Sequence, residues 1–175
     1  VMTKQDVILL AVPTQVTEGI SKQLKNLNIA NDIPIVLCSK GIVNSCNKLV
    51  SEVVSEVLDN PILVLSGPGF AVDVWQNCDY IVSTLACENN EILERVAKLF
   101  QSDNFSVYTT NDIFGTQFLG AIKNVIAIAI GIANGQNYSE STISSLMSKL
   151  IIEAVDMMKA IGNNSNTIVY PCGIG

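Results

Sequence analysis

One lysine stands in a stretch of sequence that is otherwise apolar. Lys123 lies in the run of residues 118–133, where Asn124 carries the only other polar side chain. Taking an ammonium group out of water is costly, and burial lowers the pKa of a lysine toward neutrality. The chain contains no histidine, so the usual general acid or base near neutral pH is missing. Lys123 is therefore the first candidate for proton transfer; a snorkelling or ion-paired lysine is the alternative.

Further candidates lie in the turns that follow three predicted strands. Continuous apolar runs typical of strands buried on both faces of a parallel sheet occur at residues 6–12, 33–38 and 61–65. Their following turns, residues 12–14, 39–41 and 66–69, should share the sheet edge where ligands bind in open α/β folds. Lys40 could there meet an anion or a carbonyl oxygen, unless it is an ordinary surface lysine. Gly67 would allow close backbone approach to a ligand, unless it belongs to a simple turn.

Small and amide side chains form a stripe along the helix that contains Lys123. They recur at helical spacing and are Gly120, Asn124, Ala127, Gly131 and Asn134. Such a stripe lets a flat ligand or a neighbouring backbone approach closely. Close packing against another helix is the alternative interpretation.

The order of predicted elements indicates two kinds of architecture in succession. Helices are predicted over residues 14–27, capped by Thr14, and from a cap at Asn44 or Ser45 to residue 58. Further strands are predicted at residues 80–86 and 105–109, with a helix over 91–100 between them. After Asn111 only helices follow, over residues 113–134 and 141–161. We therefore expect an α/β domain with a doubly wound sheet, followed by an α-helical domain.

Composition excludes several classes of function. The 175 residues are 49% apolar and 15% charged, which suits a chain with a sizeable core. A net charge of −6, with ten basic residues and no basic cluster, argues against nucleic-acid binding. The five cysteines are widely spaced without a C-x-x-C pair. We therefore expect no metal site and reduced thiols in a cytoplasmic protein.

The apolar run around Lys123 also raises the question of a membrane. Its sixteen residues, 118–133, fall short of the roughly 20 that a spanning helix needs. A Lys-Asn pair lies at its centre, and flanking basic or aromatic anchors are missing. We expect a buried helix in a soluble protein rather than a transmembrane segment.

Four stretches of the chain resemble the bacterial NAD(P)-dependent glycerol-3-phosphate dehydrogenases. They are VILLAVPTQV (residues 7–16), CSKGI (38–42), SGPGFA (66–71) and GTQFLGAIKNVIAIAIGIANG (115–135). The resemblance implies that residues 1–111 are the C-terminal part of a Rossmann-type dinucleotide-binding domain. Residues 112–175 would be the start of an α-helical substrate domain.

The resemblance also implies a reaction. It is hydride transfer between NAD(P)H and dihydroxyacetone phosphate, giving sn-glycerol 3-phosphate for phospholipid synthesis in the cytoplasm. The choice between NAD and NADP stays open, as does the oligomeric state, for which a homodimer is one candidate.

Site residues follow from the same resemblance. Lys123 matches the catalytic lysine, which exchanges a proton with the C2 oxygen of the substrate. The substrate-binding set would be Lys40, Gly67, Gly69, Lys123 and Asn124, and the cofactor-binding set Pro13, Lys40 and Ala71. Two ammonium groups converging on one pocket would repel each other, which favours the neutral amine, and would stabilise an alkoxide at C2.

The chain departs from the family pattern at several places. Gly69 stands where the family has Ser or Thr, and the sequence holds no G-x-G-x-x-G. Other departures are Asp73, Leu119, Ser141, Ile143, Lys149 and Leu150. Val1 lies just before a strand and Gly175 ends a Gly-Ile-Gly turn, so we expect a central piece of the enzyme. We expect it to be nearly inactive alone, because it lacks the glycine-rich turn that holds the pyrophosphate and the segment that grips the substrate phosphate. The alternatives are a non-catalytic relic that keeps only the fold, or another hydroxyacid-type dehydrogenase.

Overall fold

The computed structural model describes residues 6–69 and 80–175. Its strands are β1 Ile8–Leu10, β2 Ile35–Leu37, β3 Ile42–Val43, β4 Lys48–Leu49, β5 Ile62–Ser66, β6 Ile81–Ala86 and β7 Phe105–Thr110. Its α-helices are α1 Thr17–Asn26, α2 Val50–Ser55, α3 Asn90–Ala97, α4 Ile113–Gly135 and α5 Glu140–Ala160. Short 3₁₀ turns occupy Thr14–Val16, Lys98–Phe100 and Ser165–Val169.

Five of the strands form one sheet in the order β1-β2-β5-β6-β7. The first three are parallel, so their carboxyl ends lie at one edge, as the sequence predicts. Strand β6 runs antiparallel to β5 with Ser66 opposite Thr84, and β7 is parallel to β6. The amino ends of β6 and β7 therefore adjoin the edge where β1, β2 and β5 end. The sequence pattern did not indicate this reversal.

Both faces of the sheet are covered, which explains the continuous apolar runs of its central strands. Successive side chains of a strand point to opposite faces. Ile35 and Leu37 accordingly pack with residues of α1 and α2, such as Leu24 and Val50. Val36 belongs instead to the core that contains residues of α3. The predicted α/β class is confirmed.

The segment before α2 differs from the sequence prediction. Residues 42–49 form a small antiparallel hairpin of β3 and β4, and α2 begins only at Val50. The predicted caps Asn44 and Ser45 are therefore wrong. Asn47 lies in the hairpin turn with φ of 54°, a left-handed conformation that asparagine tolerates. The backbone N–H of Leu49 donates to Glu52 Oε2 at 2.7 Å, which ends the hairpin and starts the helix.

Thr14 does not cap α1, so that prediction is also wrong. Pro13, with φ of −56°, begins the 3₁₀ turn Thr14–Val16, and α1 starts only at Thr17. The Thr14 hydroxyl donates instead to the carbonyl oxygen of Lys40, at 2.9 Å. The hydroxyl thus joins the ends of two strands rather than capping a helix.

The two long helices match the predicted ones to within one residue at each end. By length and composition, α4 is the one helix in the described ranges that could cross a membrane. The expectation of a buried helix holds for its first two turns, where Gly115, Leu119 and Gly120 are buried, and later for Ala133 alone. Further along, Val125 and Ile128 are 60% and 64% exposed. Lys123 lies where the packed part of the helix gives way to the exposed part.

Candidate active site

Three side chains tie together the turns that follow β1, β2 and β5. Ser39 Oγ donates to the carbonyl oxygen of Val12 at 2.5 Å. Thr14 joins the same two turns through its bond to Lys40. The amine of Lys40 then reaches the third turn, where Nζ donates to the carbonyl oxygen of Gly67 at 2.9 Å. The structure therefore brings the three predicted turns to one place.

Close approach of backbone explains the glycine at position 67. A Cβ at Gly67 would lie 2.8 Å from Ser83 Cα and 2.6 Å from Ser83 Oγ. Strand β6 therefore leaves no room for a side chain at this point. The carbonyl oxygen of Gly67, which accepts from Lys40, is therefore held in place by the packing of Gly67 against β6.

Helix α4 packs onto these turns through Gly120. A Cβ at this position would lie 2.7 Å from Ser66 Oγ and 3.8 Å from Lys40 Cγ. Ser66 itself is buried, and its hydroxyl has no hydrogen-bond partner in the described residues. Because Lys123 follows Gly120 by one helical turn, this contact sets the height of Lys123 above the sheet edge.

The Lys123 amine contacts backbone oxygens of the C-terminal segment. Nζ donates to Pro171 O at 3.2 Å and to Gly175 O at 2.6 Å. Burial lowers the pKa of Lys123 below its ordinary value, and the charge of Lys40 lowers the pKa further. None of the ion pairs among the described residues involves Lys123. The hydrogen-bond partners of this amine are therefore the oxygens of Pro171 and Gly175.

Cys172 lies beside this amine and is fully buried. Its backbone N–H donates to Thr84 Oγ1 at 3.0 Å, which attaches the C-terminal segment to β6. Burial raises the pKa of the Cys172 thiol. Where the thiol does ionise, its negative charge opposes the lowering of the pKa of Lys123. The sequence offered no signal for this residue.

The remaining predicted residues lie around this centre or outside the described ranges. Pro13 is exposed at the end of β1, and Gly69 is exposed two residues beyond Gly67. Asn124 is exposed next to Lys123, on the part of the stripe that faces solvent. Ala71 lies outside the described residues. Of the small-residue stripe, only Gly120 is in close contact; a Cβ at Gly131 would meet nothing within 4 Å.

A groove of about 580 Å³ opens beside the C-terminal segment. Its lining includes Pro68 from the third turn and Pro171, whose carbonyl oxygen accepts from Lys123. Tyr80, Tyr108 and Tyr170 provide most of its aromatic surface. In the described ranges, no cluster of three or more His, Cys, Asp or Glu side chains could hold a metal ion.

Two family models cover nearly all of the described sequence. The model "NAD-dependent glycerol-3-phosphate dehydrogenase N-terminus" matches residues 1–93, and the model for the C-terminus matches residues 112–175. The chain belongs to this dehydrogenase family. The resemblance inferred from the four motifs is thereby confirmed.

Curated relatives in this family agree. The chain is 40% identical over 174 residues to glycerol-3-phosphate dehydrogenase [NAD(P)+] of Wolbachia sp. subsp. Drosophila simulans, covering 97% of this chain and 53% of the relative. It is 38% identical over 176 residues to the enzyme of the same name from Brucella ovis, covering 100% and 53%. The chain thus spans about half the length of the curated relatives it matches.

Solved structures of the family share the fold. A glycerol-3-phosphate dehydrogenase from Coxiella burnetii superposes with a TM-score of 0.88 at 27% identity, covering 97% of this chain and 52% of that one. The Plasmodium falciparum enzyme gives a TM-score of 0.88 at 26% identity, covering 96% and 48%. The Rossmann-type expectation is confirmed by these likenesses.

Proposed function

We propose that this chain supplies the proton-transfer centre of an NAD(P)-dependent glycerol-3-phosphate dehydrogenase. The reaction is reduction of dihydroxyacetone phosphate to sn-glycerol 3-phosphate, for phospholipid synthesis in the cytoplasm. Residues 1–111 would belong to the dinucleotide-binding domain and residues 112–175 to the substrate domain. The observation that carries the proposal is the convergence of Lys40 and Lys123, from two separate elements, on one sheet edge.

Lys123 acts as the general acid in this proposal. As a hydride adds to C2 of the ketone, the carbonyl π electrons move onto the C2 oxygen. The ammonium of Lys123 donates one proton to that oxygen, which yields the alcohol and a neutral amine. Reprotonation of the amine from water restores the starting state. A lowered pKa suits this exchange because the amine and ammonium forms are then closer in energy near neutral pH.

Lys40 provides a second positive charge at the same edge. It stabilises the negative charge that develops on the C2 oxygen before the proton arrives. Gly67, Gly69 and Asn124 would line the substrate around the two lysines. Gly69 would offer only backbone groups, since it has no side chain with which to bind a hydroxyl.

In this proposal the nicotinamide end of the cofactor lies against this part of the chain. Bound NAD(P)H supplies the hydride, and Pro13, Lys40 and Ala71 would contact it. The exposed turn at Pro13 and the cluster formed by Ser39, Thr14 and Lys40 give it a preorganised surface. A pyrophosphate group would need a glycine-rich turn, and the 175 residues contain no G-x-G-x-x-G.

A chimeric enzyme tests the role of Lys123. Residues 1–175 replace the matching half of the Wolbachia relative, and NADH oxidation is measured with dihydroxyacetone phosphate. We expect the chimera to turn over and Lys123→Ala to lower kcat by about a hundred- to ten-thousandfold, the usual contribution of a general acid.

Lys25→Ala is the matched control, because Lys25 is an exposed lysine on α1. This variant should keep the rate of the parent chimera. Equal rates for the Lys123 and Lys25 variants would contradict the proposal.

The alternatives predict different results in the same assay. A relic that keeps only the fold gives a folded chimera without turnover, and the residues that favour it are Gly69 and Ile143. Another hydroxyacid-type dehydrogenase gives turnover with a different keto substrate, which substrate profiling would show. The 175-residue chain alone is expected to show no turnover above background. A homodimer is the assembly we propose to test by light scattering.

A further inference from the structure

A second contact joins the helix that carries Lys123 to the segment that contacts its amine. Asp112 is the N-cap of α4, and its Oδ1 accepts from the backbone N–H of Gly115 at 2.7 Å. The other carboxylate oxygen, Oδ2, accepts a hydrogen bond from Thr167 Oγ1. One side chain therefore serves both the start of the helix and the returning chain.

The surroundings of this contact are closely packed. Thr167 is 1% exposed. A Cβ at Gly115 would lie 2.1 Å from Asp112 Oδ2. Only glycine at position 115 allows the carboxylate to lie over the first turn of the helix and still face Thr167.

Thr167 begins a compact loop, residues 167–174, which contains Pro171, a hydrogen-bond partner of Lys123. The backbone N–H of Ile174 donates to Ile168 O at 3.0 Å, and that of Gly173 donates to Tyr170 O at 2.8 Å. A Cβ at Gly173 would lie 2.0 Å from Ile168 O, so the two ends of this loop are in direct contact. Displacement of Thr167 would therefore move Pro171, whose carbonyl oxygen accepts from Lys123.

We propose that Asp112 and Thr167 form a latch that positions the amine of Lys123. The latch fixes the C-terminal segment against the same helix that carries the lysine. This segment then shields the amine from water and places the Pro171 carbonyl against it. Both residues are positioning residues, and their role rests on the proposed function only in giving Lys123 a reaction to perform.

The latch bears on the proton affinity of Lys123. The charged or titratable groups that face the amine are Lys40, from the turn after β2, and Cys172, from the C-terminal segment. In the 175-residue chain the terminal carboxylate of Gly175 is a third, since its oxygen accepts from Lys123 Nζ at 2.6 Å. Burial is the largest cause of the lowered pKa of Lys123. Loosening the segment admits water to the amine, so the pKa of Lys123 should rise toward its ordinary value.

Nuclear magnetic resonance of the 175-residue chain tests the latch without cofactor or substrate. The chain is amidated at Gly175, so that no terminal carboxylate faces Lys123 and burial alone sets the direction of the pKa change. The Lys123 Cε resonance is titrated in ¹³C-labelled protein and assigned with Lys123→Arg. We expect a higher pKa of Lys123 in Thr167→Val. We also expect amide exchange in residues 168–174 to be about tenfold faster, the size expected for one lost buried hydrogen bond. Thr167→Ser, which restores the hydroxyl, should return both values to those of the parent.

Asp112→Ser provides an independent variant, because serine keeps an N-cap oxygen but is too short to reach Thr167 as well. It should reproduce both changes, and it carries the test if Thr167→Val fails to fold. In the double variant the effects should not add, since each change breaks the same bond. The control is Thr109→Val, at an exposed threonine in β7.

An unchanged pKa of Lys123 in both variants, or fully additive effects on exchange, would overturn the latch. Neither result bears on the proposed reaction, which is tested separately by the activity of the chimera. Conversely, a Lys123→Ala chimera with full activity would leave the latch measurements standing.

Discussion

The sheet half and the helical half of this chain are stabilised in different ways. Strand β2 is buried along its whole length, between side chains from helices on both faces. The core of the helical half consists of Leu119, Met158 and Cys172, with a few half-buried neighbours. Helix α4 is held at its start, by Gly120 and the Asp112 cap, while its later turns are exposed. Lys123 is therefore positioned by a few specific contacts rather than by a large core.

Changing a buried and an exposed side chain to alanine should show most clearly how the two halves differ in their contribution to stability. Leu85, which is fully buried in the sheet, should cost about 2–5 kcal/mol of unfolding free energy when changed to alanine. Ile132, which is 63% exposed on α4, should cost less than about 0.5 kcal/mol. Urea unfolding measures both values. Similar losses for the two variants would show that the later turns of α4 are packed as tightly as the sheet.

Two glycines of the same helix provide a finer comparison. Gly120→Ala should destabilise the fold by about 1–3 kcal/mol, because the added methyl meets Ser66. Gly131→Ala adds a methyl in open space and should stabilise the helix by about 0.5–1 kcal/mol. Thermal unfolding of both variants checks the pair. If Gly120→Ala is neutral or stabilising, like Gly131→Ala, the close contact at Gly120 does not hold α4 in place.

Much of the sheet could be predicted because burial on both faces leaves a simple signal. The runs at residues 33–38 and 61–65 are apolar throughout, and each became a strand. The hairpin at residues 42–49 gave no such signal, because its strands are two residues long and depend on the left-handed turn at Asn47. Strand direction is set by tertiary pairing, so the reversal at β6 could not be inferred from residue types.

The candidate site was predictable in part for a similar reason. Lys123 and Lys40 are conspicuous, one as a charge in an apolar run and the other in a turn after a buried strand. The residues that hold these lysines in place could not be predicted in the same way. Asp112 is recognisable as a helix cap before Gly115, but its bond to Thr167 joins residues 55 positions apart. Cys172 carries no local pattern at all. Such contacts arise only once the C-terminal segment has folded back onto the helix.

The pH dependence of kcat for dihydroxyacetone phosphate reduction, in the chimera with and without Lys40→Met, tests the central claim most directly. The donated proton requires the ammonium form, so the rate should fall as pH rises through the pKa of Lys123. Removal of the Lys40 charge raises the pKa of Lys123. The account therefore predicts a lower rate but an alkaline limb moved to higher pH, whereas Lys25→Met leaves the limb in place. An alkaline limb that does not move in Lys40→Met would contradict a two-lysine proton-transfer site.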